Sequence, residues 1–291
     1  MINIRSLIAV MLFMLPISLL AQKTFPYPDV PATLKSEKVR ANYLGEHFWD
    51  RYDFRNNALI GNRDVSEQGF LNFINIVSDA TAKDAALESF ASKLVTNSHM
   101  LQYFMGLAAK YLAEPSSLVY DEALYILFLE TIIAQKGISE RDYQNAKFHL
   151  AMANKNRVGA KAANFGYLLR NGKRSELLKT KGKHILLFMG DPECDNCSVV
   201  KKEIMENHFL NKCIEDGTLT VLSVCVEGET DEWMQTPAPD NWIDACDDEQ
   251  MIFGELLYDI PGLPVLYLLD KHHKVIMKNV QVFQVEQFFR K

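Results

Sequence analysis

Cys194 and Cys197, in the run Cys194-Asp195-Asn196-Cys197, are spaced for thiol–disulfide exchange. A thiolate attacks a disulfide sulfur to form a mixed disulfide, and a second thiol three positions along can reach back and resolve it. The first sulfur must be nucleophilic near ambient pH. A helix N-terminus promotes this, because its unpaired backbone N–H groups and positive dipole end lower a thiol pKa. The flanking sequence predicts such a place. The apolar run from Ile185 to Met189 reads as a buried strand, and Gly190, Asp191 and Pro192 break it. A helical pattern with Val199, Val200 and Ile204 then starts at once. Cys194 comes first and is nearest the helix start, so it is the expected nucleophile, with Cys197 resolving. No cofactor beyond this redox-active pair is expected. Asp195 between the cysteines, and Asp191 with Glu193 before them, place negative charge near the sulfur. Such charge disfavours the thiolate and offsets part of the helix effect, which predicts a pair biased toward reduction.

Other chemistry fits less well. CxxC is half of a zinc pattern, but no second CxxC or HxxxH exists to complete it, so no metal is expected. Covalent haem attachment needs a histidine where this chain has Ser198. A different class of function stays open: a binding or scaffold protein whose helical half holds a ligand and whose CxxC is a structural disulfide.

Far downstream, Tyr258 to Asp270 reads Y-x-I-x-G-L-P-x-x-Y-L-L-D, with Pro264 opening an apolar strand. With the strand before CxxC, the CxxC itself and the lead-in from Asn164 to Leu177, this stretch resembles the thioredoxin superfamily, in particular its secreted TlpA/ResA-type branch. The resemblance covers residues 157–291. It implies an α/β fold, a central mixed sheet flanked by helices, and thiol–disulfide oxidoreductase activity on protein disulfides. It also implies a cis bond between Leu263 and Pro264 beside the dithiol. Leu263, Pro264, Pro192 and Glu193 are then the residues against which a partner chain docks. A membrane thiol–disulfide transporter would be the electron donor. The chain departs from the family in three places. Glu193 stands where a tryptophan is usual, the loop before CxxC is one residue longer, and Leu187 and Phe188 are apolar where thioredoxin has a buried acid.

The elements that must hold this site occupy a chain of 291 residues, 48% hydrophobic and 23% charged, with room for two domains. A net charge of −6 gives no basic footprint, which excludes nucleic acid as an expected partner. Residues 1–21 read as a signal peptide, with Arg5, an apolar stretch from Leu7 to Leu20 interrupted by Pro16, and Ala21 before the cut. The competing reading is an uncleaved anchor, which the short span and the proline disfavour. The expectation is a protein of the periplasm or cell envelope, not inserted in the membrane after cleavage, in a compartment where disulfides persist. Of the five cysteines, Cys225 falls in the apolar run Leu219 to Val226 and reads as a core thiol. Cys213 follows the CxxC helix, Cys246 reads as part of an acidic loop, and a Cys213–Cys225 bridge stays open.

Residues 22–34 form a Pro-rich lead, read either as an arm across the domain or as a tether. Residues 35–156 carry helical periodicity throughout and predict an all-α domain like those that precede thioredoxin-like domains in secreted bacterial proteins. Asp64 to Glu67 resembles a capping box, Leu118 to Gln135 reads as the central helix, and Ser139 with Asp142 starts another. The cluster from His47 to Phe54, HFWDRYDF, reads either as a substrate groove or as core aromatics with solvated acids, the second being favoured. Between Glu227 and Asp248 lies an acidic segment with two tryptophans, like the insertion of TlpA-type proteins.

Overall fold

The computed structural model describes residues 24–79, 81–114 and 116–291. The expected signal peptide, residues 1–21, lies outside the described residues. The first half is helical: α1 Glu37–His47, α2 Gln68–Asp79, α3 Lys83–Leu94, α4 Ser98–Ala108, α5 Glu122–Ile133 and α6 Glu140–Ala153. Side-chain caps set several of the starts. Asn97, Asp121 and Ser139 accept the first free N–H groups of α4, α5 and α6.

Two sequence expectations shift for that reason. The start placed at Asp64–Glu67 is capped by Asn62, which accepts the Val65 N–H ahead of a π-helical turn, Arg63–Glu67. The Glu67 carboxylate instead accepts from Lys110 and Tyr111. The helix expected from Leu118 begins only at Glu122, because Asp121 is the cap; Leu118 is fully exposed.

The aromatic cluster packs as core. It lies in the turns after α1, with Phe48, Trp49, Tyr52 and Phe54 all buried. Trp49 stacks on Phe90 at 4.5 Å between centroids, and the Tyr52 hydroxyl pairs with Ser66 at 2.6 Å. The Pro-rich lead is an arm, since Phe25 is buried and stacks on Phe48 at 4.7 Å. It crosses α2 at Gly69, where any side chain would overlap the Phe25 ring.

The second half is one mixed sheet with helices on both faces. Its elements are β1 Gly166–Leu169, β2 Arg174–Glu176, β3 His184–Gly190, α7 Asp195–Glu206, α8 His208–Glu215 and β4 Leu219–Cys225, then α9 Asp231–Gln235, β5 Ile243–Cys246, α10 Met251–Gly254, β6 Val265–Asp270, β7 Val275–Met277 and α11 Val282–Phe289. The strand order is β2-β1-β5-β4-β3-β6-β7. The β3–β4 and β4–β5 pairs are parallel and the rest antiparallel. The hairpin β1–β2 turns at Asn171-Gly172, where Gly172 has φ of 75°. With β3 inside the sheet, between β4 and β6, the apolar run read as a buried strand is covered on both faces, and Ile185 to Gly190 are all buried.

Within the segment from Glu227 to Asp248, Cys246 does not lie in an acidic loop as expected. Residues 243–246 form β5, which joins β4 to the hairpin, and Cys246 is fully buried. Its acids make specific contacts. Asp244 pairs with Arg170, Asp248 with Arg174, and Asp247 accepts the Met251 and Ile252 N–H groups that open α10. No Cys213–Cys225 bridge exists; Cys213, Cys225 and Cys246 are free thiols.

An ion pair between Lys278 and Glu122 fastens the two halves. Lys278, just after β7, is buried, reaches Glu122 of α5 at 2.6 Å and donates to the Ala153 carbonyl at the end of α6 at 3.0 Å.

Candidate active site

The end of β3 delivers the chain to the N-terminus of α7, and Cys194 is the cap residue there. Its sulfur accepts the Cys197 backbone N–H at 3.1 Å, a contact that stabilises negative charge on sulfur. Cys194 and Cys197 form a disulfide with Cα atoms 5.2 Å apart. Exposure separates them: Cys194 is half-buried and Cys197 is 2% exposed.

The Leu263–Pro264 peptide bond is cis. The Leu263 carbonyl oxygen stands 3.7 Å from the Cys194 sulfur and accepts a hydrogen bond from the Asn196 amide at 3.3 Å. Dithiol, Leu263 and Pro264 therefore meet at one point. Pro192 and Asp191 line a small cavity with Lys201 and Cys225. Asp191 accepts the Glu193 N–H at 2.6 Å and so shapes the loop before the cysteines. Glu193 and Asp195 are exposed, Asp195 as the first residue of α7.

Gly190 ends β3 instead of breaking it, and the site needs its missing side chain. A Cβ there would come 2.6 Å from Phe188 Cε1 and 3.4 Å from the Cys197 sulfur. Phe188 is buried and cannot swing away. Gly190→Ala should destabilise the protein by about 1–3 kcal/mol through overpacking, read as a lowered midpoint in thermal denaturation. A midpoint equal to that of the unaltered protein would show that the ring moves freely.

The apolar residues Leu187 and Phe188 leave no acid on β3. A half-buried ionisable group near the dithiol is a cation from α7. The Lys201 Nζ sits 5.5 Å from the Phe188 ring centroid. Burial lowers its pKa, and the Asp244 carboxylate opposes that shift. Sequence reasoning passed over Lys201 although its signal was there, one helical turn beyond Cys197 and so on the same face. It also passed over Asn196, whose contact with Leu263 depends on a loop far away in the chain. The other thiols are quiet. Burial pushes Cys225 up to about 11 and Cys246 up to about 12, and it also raises Cys213. Among the described residues no group of three or more histidines, cysteines or carboxylates is arranged to hold a metal ion.

Residues 11–156, about half of the chain, match the sequence family described as a domain of unknown function, DUF5106. Over 92% of its length the chain is similar to the crystal structure of a thioredoxin-like protein from Bacteroides caccae, at 29% identity and a TM-score of 0.77, covering 98% of that chain. Over 47% of its length it is similar to the C-terminal domain of an uncharacterized protein from Bacteroides fragilis, at 33% identity, 99% coverage of that chain and a TM-score of 0.46. A domain of a possible thiol-disulfide isomerase from Cytophaga hutchinsonii is similar over 47% of this chain and 93% of its own, at 22% identity and a TM-score of 0.40. No curated protein matches. The second half is thus a thioredoxin-like domain, carried behind a helical one.

Proposed function

The chain belongs to the DUF5106 family, and on the geometry of its second half we propose that it is a thiol–disulfide oxidoreductase of the cell envelope, biased toward reducing protein disulfides. One observation carries the reading: a half-buried Cys194 sulfur caps α7 beside the Leu263 carbonyl, while its partner Cys197 is buried behind it. In the reducing direction the Cys194 thiolate attacks a substrate disulfide. An S–S bond forms between Cys194 and one substrate sulfur, and the other leaves as thiolate. Cys197, deprotonated, then attacks the Cys194 sulfur, closes the Cys194–Cys197 disulfide and releases the second substrate thiolate. Two electrons pass from the dithiol to the substrate, and solvent supplies the protons to the released thiolates. A membrane thiol–disulfide electron donor would return the pair to the dithiol. Among the described residues no helix is long and apolar enough to cross a membrane.

Asp195 gives this reading its direction. An acid at the first position of α7 disfavours charge on the Cys194 sulfur and so disfavours the reduced form. The potential should lie nearer the value of about −270 mV typical of thioredoxin than the value of about −120 mV of a strong oxidant. Asp195→Asn should raise it by about 5–20 mV, since the carboxylate is exposed and its effect at most about 1 kcal/mol. The test is equilibration with a glutathione buffer alongside insulin reduction. Failure to reduce insulin, or a potential close to that of the oxidants, sinks the proposal. A potential that stays or falls in Asp195→Asn removes the role given to that residue.

A further inference from the structure

We propose that the helical domain supplies one wall of the groove beside the dithiol and, with it, a preference for cationic polypeptide segments. The inference rests on the exchange reading above and adds a substrate class to it. A groove of ≈ 440 Å³ begins at Asn196 and at Leu263 and Pro264, runs past Glu203 of α7 and Phe283 of α11, and is closed by Glu114 and Ser116 from the helical half. That closure is tertiary. Glu114 follows α4 and its π-helical extension, Ala109–Ala113, and it comes to the thioredoxin-like domain where Lys278 and Glu122 hold the halves together.

Charge on the groove has one sign. Its lining includes two carboxylates, Glu114 and Glu203, and no lysine, arginine or histidine among the described residues. Both are exposed, and neither forms an ion pair among the described residues; Glu114 only accepts from the Ser116 hydroxyl at 3.2 Å. The exposed acids Glu193 and Asp195 extend the negative field to the mouth at Cys194. The Asn279 side chain also lines the groove. Phe283, 49% exposed, offers an apolar surface beside it. Such a lining fits an N–H-rich, positively charged chain with an apolar residue, presenting its disulfide to Cys194. A second copy of this chain, at net charge −6, fits poorly. Past Glu114 and Pro261 the surface leads into a neighbouring, more apolar cavity between the halves, where the occupant can continue.

The test uses the full chain and two peptides of equal length, each closed by one disulfide, with lysines flanking the cysteines in one and glutamates in the other. Binding of each labelled peptide to the oxidised protein is measured by fluorescence anisotropy. Reduction of each, and of neutral hydroxyethyl disulfide, is measured with the reduced protein. The lysine peptide should bind and react about fivefold better at low ionic strength, and the preference should vanish at 1 M salt, where the Debye length is about 3 Å. Glu114→Lys should narrow the lysine peptide's advantage, and Glu114→Lys with Glu203→Lys should carry the glutamate peptide to at least equal binding, a gain for that peptide that a misfolded variant cannot produce. Equal binding of both peptides to the unaltered protein, or a preference untouched by Glu114→Lys, overturns the proposal. If the neutral disulfide is not reduced while the binding preference holds, the exchange reading fails and the groove assignment stands.

Discussion

Cys197→Ser should stop turnover and leave the protein covalently joined to its substrate, whereas Cys194→Ser should stop turnover and join nothing. The asymmetry follows from position. Cys194 is the sulfur a partner can reach, and the Cys197 N–H steadies its negative charge at 3.1 Å. Cys197 is 2% exposed, and the sulfur within its reach is that of Cys194, which it attacks once a substrate is attached there. With serine at position 197, the first exchange still runs and the mixed disulfide has no internal route to resolution. In both variants insulin reduction should fall by about a thousandfold or more, the scale on which loss of a covalent nucleophile acts. Non-reducing gels tell them apart, with adducts in Cys197→Ser alone. Alkylation of the reduced protein gives an independent reading. Cys194 should label quickly at pH 7. Cys225 and Cys246 should not, because burial holds their thiols up to about 11 and about 12 and leaves about 1 part in 10,000 or less as thiolate. Faster labelling of Cys197 would reverse the two roles, and resistance of both would end the exchange reading.

The site was legible in the sequence to the extent that its pieces were local. Strand, break, CxxC and helix follow one another within about twenty residues, and each announces itself by composition. Leu263 and Pro264 lie some seventy residues further on, and only the resemblance to a known family placed them at the dithiol; the 3.7 Å approach of the Leu263 carbonyl is what joins them. Residues whose role depends on tertiary contact gave no signal. Glu114 is one acid among many until the helical half is laid against the groove. The acidic segment misled for a related reason. Cys246 reads as part of an acidic loop in sequence, yet Asp244 and Asp248 meet Arg170 and Arg174 across the fold, Asp247 accepts the N–H groups that open α10, and Ile243–Cys246 pairs as a strand with β4. In the helical half periodicity gave the helices, while their starts followed whichever side chain could cap. Asn62 took that role from the expected Asp64–Glu67 box, and Asp121 set a later start than the apolar run suggested.

Glu122→Gln should destabilise the protein more than Lys278→Met, although both remove the same ion pair. The Lys278 side chain is 1% exposed, and its ammonium has only two neighbours among the described residues, the Glu122 carboxylate at 2.6 Å and the Ala153 carbonyl at 3.0 Å. Glutamine at 122 leaves that charge buried without a counter-charge, which costs about 3 kcal/mol, the lower end for such pairs because the amide oxygen still accepts. Methionine at 278 removes the buried charge itself, and Glu122, 19% exposed, can turn its carboxylate toward water; this variant should lie within about 1 kcal/mol of the unaltered protein. The double variant should recover most of the loss. Urea denaturation followed by tryptophan fluorescence reads both halves, since Trp49 lies in one and Trp233 and Trp242 in the other. A Glu122→Gln protein as stable as the original would mean that water already reaches Lys278. The pair matters beyond stability. Lys278 immediately precedes Asn279, which lines the groove, and Glu122 belongs to the helical half that brings Glu114 to its wall. Glu122→Gln should therefore weaken the preference for the lysine-flanked peptide at denaturant concentrations where the Trp233 and Trp242 signal still reports a folded redox domain.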